Sequence, residues 1–136
     1  MRAYISISYS SRHIMDTIVQ AIVDTLSSMH IESFIFVDRY CFSIGQEKEM
    51  MVQAFIDIEQ SDILIAETSE KAIGVGVEVG YAKAKQKPVI YLRQSAVDHS
   101  TTVAGASDYQ VIYADARDLQ LQLQDILIKH FPDNCE

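Results

Sequence analysis

Short β-branched apolar runs alternate with longer segments of helical periodicity, and that alternation constrains this chain more than any other feature. Residues 4–9 (Tyr4-Ile5-Ser6-Ile7-Ser8-Tyr9) form a first run bounded by serines, as a short strand would. Ser10 or Ser11 can then cap a helix in which Ile14, Ile18, Ile22 and Leu26 recur at every fourth position. Residues 33–37 predict a second strand, and 38–45 predict a loop rich in aromatic and charged residues. Helical spacing returns over 46–60 through Met51, Ala54, Phe55 and Ile58. Residues 63–66 are apolar throughout, the pattern of a strand covered on both faces.

The second half repeats the scheme. A polar loop over 67–73 leads into a helix over 74–84, whose small residues predict tight packing on the sheet. Residues 87–92 and 110–113 read as the fourth and fifth strands, with a Ser/Thr-rich connection over 95–107. Leu119, Leu123, Ile126, Leu127 and Phe131 stripe a final helix that Pro132 stops. Strands alternating with helices imply parallel pairing with right-handed crossovers. The expected fold is a doubly wound α/β domain over residues 1–136, a five-stranded parallel sheet in flavodoxin-like order 2-1-3-4-5 with helices on both faces. A ligand then binds beyond the carboxyl ends of the strands, at the switch point between strands one and three.

Composition narrows the partners. A formal net charge of -8 repels a polyanion, and no basic stripe with interleaved aromatics is present, so a nucleic acid polymer is not expected to bind. Apolar residues make up 49% of the chain and charged residues 22%, a globular balance. Cys41 and Cys135 are too few and too far apart for a disulfide framework or a zinc site, so both are expected to be reduced thiols. No apolar run approaches membrane-spanning length and no signal-peptide pattern opens the chain, from which no membrane partner and a cytoplasmic location are expected.

Gly74 and Gly76 lie at the start of the helix after the third strand, where a ligand can approach backbone N–H groups at the helix's positive end. They serve equally to make the turn and let the helix pack closely. Their spacing with Gly80 does not match the dinucleotide-binding fingerprint, which also belongs after the first strand. Glu78 sits among Val77, Val79, Gly80 and Ala82 at the expected crevice, as a reactive carboxylate or as a partner of the helix dipole.

The block Ser61-Asp62-Ile63-Leu64-Ile65-Ala66-Glu67, then Gly74-Val75-Gly76-Val77-Glu78-Val79-Gly80-Tyr81-Ala82 and Lys87-Pro88-Val89, resembles the nucleoside 2-deoxyribosyltransferase superfamily. The likeness spans nearly the whole chain, and its nearest branch is the 2'-deoxynucleoside 5'-phosphate N-hydrolases. It implies that Glu78 attacks the anomeric carbon of a deoxyribose to form a glycosyl-enzyme ester, while Tyr4 orients the carboxylate. It implies a homodimer in which Ser100, assisted by Thr101, reaches a neighbouring chain's 5'-phosphate. Without the likeness, Ser100 to Thr102 would read as a helix cap. A small nucleoside or nucleotide is then the partner, and no metal or organic cofactor is required.

The chain departs from the family pattern at three places. The acid that assists the leaving base falls on Ala54, the phosphate-binding loop serine falls on Ala72, and the loop after the first strand offers Ile7 and Ser10 where Gly and Arg are usual. Glu67, Asp38 and Ser69 are the candidates to supply what is missing, with Ser8 and Ser10 beside the sugar or phosphate; Glu67 reads equally as a solvated loop charge. A second resemblance, to Toll/interleukin-1 receptor (TIR) domains that cleave NAD, is carried by residues 4–11 and 61–65. A non-catalytic nucleotide-binding module is the third expectation.

Overall fold

The computed structural model describes residues 1–132; Cys135, expected to be a reduced thiol, lies outside the described residues. Its strands are β1 (Arg2–Ile7), β2 (Glu32–Ile35), β3 (Ile63–Glu67), β4 (Val89–Gln94) and β5 (Tyr109–Tyr113). The helices are α1 (Asp16–Ser28), α2 (Phe36–Arg39), α3 (Glu47–Glu59), α4 (Ile73–Ala84), α5 (Thr101–Gly105) and α6 (Ala116–His130), with a 3-10 turn at Tyr9–Ser11. All strand pairs are parallel and the order is β2-β1-β3-β4-β5, as the alternating pattern requires. Tyr4 pairs with Phe34 on one side and Leu64 on the other, which sets β1 at the switch point.

Strand residues alternate faces, so the sheet divides the core in two. On one face Ile18, Ile22 and Leu26 of α1 and Leu119, Leu123 and Leu127 of α6 pack on Ile5, Ile63, Ile65, Ile90, Leu92 and Val111. On the other, Ile58 of α3 and Val75, Val79 and Ala82 of α4 pack on Tyr4, Phe34, Leu64, Ala66 and Val89. Each such buried Val, Leu or Ile side chain contributes about 1.5 to 3 kcal/mol.

Several local expectations are corrected. Ile14 is 82% exposed and precedes α1, so the buried stripe begins at Ile18, and neither Ser10 nor Ser11 caps that helix. The second strand ends at Ile35, where the chain turns into α2. The Ser/Thr-rich connection contains α5. Gly74, Gly76 and Gly80 do not allow α4 to approach the sheet, because a Cβ on any of them would meet open space; Val75, Val79 and Ala82 make that contact. Left-handed residues end α1 and α4, but these are His30 (φ 59°) and Gln86 (φ 58°) in place of glycine.

Candidate active site

β1 carries Tyr4 and Ser6 on the face that meets α4, because alternate strand residues share a face. Both hydroxyls donate to the Glu78 carboxylate: Tyr4 to Oε2, and Ser6 to Oε1 at 3.1 Å. Glu78 lies more than a turn inside α4, so it does not act as a first-turn partner of the helix dipole. Its residue stays partly exposed while Tyr4 is fully buried and Ser6 nearly so. Burial pushes the Glu78 carboxyl up to about 7, against the pull of the two donated hydrogen bonds, which favour the anion. Burial, and then the nearby Glu78 charge, drive the Tyr4 phenol far above its usual range, so it stays a donor.

Three further contacts gather the loops at the carboxyl ends of the strands. Ser8 and Ser10 both donate to Glu70 on the loop before α4, Ser8 at 2.9 Å, and their hydroxyls lie 3.0 Å apart. Those donors lower the Glu70 carboxyl below its ordinary value. Arg12 binds Asp38 through two hydrogen bonds of 2.9 and 2.7 Å and Asp16 through one of 2.6 Å. Asp38 thus ties α2 to the turn after β1, and Arg12 supplies an arginine to that loop.

Of the expected substitutes for the missing groups, Glu67 turns away from Glu78. Glu67 is buried on the α1/α6 face, where Tyr113 donates to it at 2.7 Å and the Ser69 N–H at 2.6 Å. Glu67 is therefore no solvated loop charge, and burial raises its carboxyl. The Ser69 hydroxyl accepts from the Gln94 N–H at 3.0 Å, which ties the loop to the end of β4. Gly74 and Gly76 sit inside the first turn of α4, after Ala72 at its N-cap. Ser100 occupies the N-cap of α5 without a side-chain cap, and its N–H donates to the Tyr91 hydroxyl at 3.0 Å. Ser100 lines a cavity of about 230 Å³ together with Thr68, Lys71, Ala72 and Val75, whereas Thr101 is exposed beside it.

Sequence reasoning missed Asp57, and it noted the aromatic content of the 38–45 loop without assigning its rings a place in the site. Ala54 is 1% exposed on α3, and one turn further on Asp57 is 3% exposed, accepting from Tyr40 at 2.9 Å and Gln53 at 3.2 Å with Arg2 at 3.7 Å. An acidic residue in step with Ala54 and Ile58 was the available signal. Phe36 stacks on Tyr4 at 6.1 Å between centroids, and Tyr40 and Phe42 pack on Phe36 at 5.1 and 6.1 Å. These three rings, with Tyr9, Cys41 and Met50, border a second cavity of about 470 Å³. Glu78 reaches Tyr4 and Ser6 and lines neither cavity, whereas Val75, one turn before it, lines the first and Phe36, stacked on Tyr4, lines the second.

The nucleoside 2-deoxyribosyltransferase family model matches residues 11–125, most of the chain. The chain belongs to that family. A 5-hydroxymethyl-dUMP N-hydrolase of Branchiostoma floridae is 32% identical over 82 residues, 59% of this chain and 75% of that protein. Among solved structures, a Clostridium botulinum CMP N-glycosidase superposes with a TM-score of 0.66 at 17% identity, covering 90% of this chain and 98% of the other. A 2-deoxyribosyltransferase of Bacillus psychrosaccharolyticus gives 0.67 at 12% identity over 88% and 90%. At those identities the two structures speak for the shared fold. Family membership carries the coarser activity, cleavage or transfer at the N-glycosidic bond of nucleosides or nucleotides. Among the described residues, no helix is long and apolar enough to cross a membrane.

Proposed function

We propose that this chain breaks the N-glycosidic bond of a (deoxy)nucleoside or nucleotide through a glycosyl ester on Glu78. The observation that carries the reading is the Glu78 carboxylate, held by Tyr4 and Ser6 at the switch point with a carboxyl raised to about 7. A nucleophilic carboxylate acts as the anion, and the two hydroxyl donors favour that form without a cationic partner. The C1'–Oε bond forms as the C1'–N bond breaks, and the negative charge stabilises the oxocarbenium-like transition state. Water, or a second base, then attacks C1' and releases the carboxylate.

Ser100 serves the 5'-phosphate from a neighbouring chain, with Thr101 beside it. The exposed apolar side chains of Val52, Ile56, Ile73 and Val77, on α3 and α4, suit a homodimer. Incubation with deoxynucleosides, deoxynucleotides and NAD, followed by detection of free base, tests the proposal. Release from deoxy substrates that vanishes in Glu78→Ala supports it. Nicotinamide release alone, or binding without any release, refutes it. Light scattering reports the dimer.

A further inference from the structure

The first strand presents a row of hydroxyls. Tyr4, Ser6 and Ser8 stand at alternate positions, with Ser8 following β1 in extended backbone (φ -57°, ψ 129°), so all three face one side of the sheet. Ser6 donates to Glu78 at 3.1 Å, and Ser8, the next position on that side, donates to Glu70 at 2.9 Å. Alternate positions of an extended chain are about 6.6 Å apart, so the two carboxylates are held one strand repeat from each other. In a retaining displacement the second carboxyl group stands about 5 to 5.5 Å from the nucleophile, a comparable span. Glu70 also lines the cavity of about 230 Å³ that Val75 borders, and Val75 lies one turn before Glu78 on α4. That space holds water, whose share of the liquid is about 30 Å³ per molecule.

The other groups that could accept a proton are committed elsewhere. Asp57 is sealed behind Tyr40, Asp38 is paired with Arg12, Glu67 lies on the opposite face under Tyr113, and the His99 ring turns to Tyr91 on β4. Glu70 is exposed and makes no ion pair among the described residues. The Ser8 and Ser10 hydroxyls hold its carboxyl below the ordinary value, so it is an anion at neutral pH. An ionised carboxylate has no proton to lend a departing base, but it can take one from water.

Resting on the proposed glycosyl ester on Glu78, we propose that Glu70 is the general base that activates the water resolving that ester. The water oxygen bonds to C1', its proton passes to the Glu70 carboxylate, and the C1'–Oε bond breaks with its electron pair returning to Glu78. Glu70 then gives the proton to solvent.

The test follows base release by Glu70→Gln, with no second base added, from the deoxynucleosides and deoxynucleotides that the parent protein cleaves. The substitution keeps the side chain's size and one acceptor for Ser8 or Ser10. The expected result is a burst of a single equivalent of base at the parent's rate, then turnover about 100-fold slower, the low end of what a positioned base contributes. The mass of the intact protein rises by one deoxyribosyl group during that slow phase. Added azide, an anion that needs no proton removed, restores turnover and yields the glycosyl azide. Turnover like the parent's overturns this inference and leaves the proposed function standing. Loss of the burst puts Glu70 ahead of ester formation, and a deficit that azide leaves uncorrected makes it structural; either overturns the inference also. No base released by the parent from any substrate overturns the proposed function and this inference together.

Discussion

Replacing Tyr4 with phenylalanine removes one of the two hydroxyls that hold the Glu78 anion and leaves the buried ring in place. Burial raises the Glu78 carboxyl, and the Tyr4 and Ser6 bonds lower it, to a balance at about 7. A hydrogen bond to a charged group contributes about 1.5 to 3 kcal/mol, and one pKa unit corresponds to about 1.4 kcal/mol. Loss of the Tyr4 bond therefore moves the carboxyl upward by about one to two units. At pH 7 the ionised fraction falls from about one half to between roughly a tenth and a hundredth, so kcat/KM falls about 5- to 50-fold. By pH 9 the deficit shrinks to about twofold or less, because both proteins are then largely ionised. Base release across pH 5 to 9.5 measures the shift, and carbon NMR of labelled glutamate measures it without substrate. A midpoint that stays put or moves down refutes the electrostatic account, and an equal loss at every pH makes Tyr4 an orienting group alone.

The remaining predictions concern stability. Glu78 binds its proton more tightly folded than unfolded, so its contribution is fully present below the unfolded carboxyl's range near 4.5 and is lost as pH rises towards 7. Glu78→Gln should remove that loss and raise the melting temperature above pH 7 relative to the parent, while base release disappears; an unchanged pH dependence of melting contradicts the assignment. Tyr113→Phe strips one donor from the buried Glu67 carboxyl and should cost about 1 to 3 kcal/mol in urea denaturation, whereas an unaltered midpoint denies the pair any weight. Arg2→Met leaves the buried Asp57 carboxylate without its cation and removes the Arg2 hydrogen bonds to the Ser61 hydroxyl and the Asp57 backbone carbonyl, and should destabilise by about 3 kcal/mol, measured the same way. Gln86→Gly relieves the left-handed residue after α4 and should stabilise by about 1 kcal/mol, since Gln86 is exposed and only its backbone is constrained.

The fold was legible because its signals are local and repeated. Apolar β-branched runs at 4–9 and 63–66, helical stripes at Ile18 to Leu26 and Leu119 to Leu127, and the alternation between them already require a parallel sheet with helices on both faces. Glu78 was legible for a related reason: a carboxylate among small apolar residues after a central strand has few ordinary uses. Where a local rule failed, packing prevailed. Ile14 keeps the spacing of the α1 stripe yet lies before the helix, and the glycines of α4 face open space.

The sequence by itself determined the sheet, its order and the strand that ends at the crevice, because periodicity and chain direction suffice for those. Only the tertiary structure decided which groups surround Glu78. Tyr4 and Ser6 meet it from more than 70 positions away, Glu67 turns to the opposite face, and Asp57 is sealed behind Tyr40. Those outcomes depend on strand register and on which side of the sheet each residue faces, so side chains remote in the chain set the burial and hydrogen bonding that tune one carboxylate.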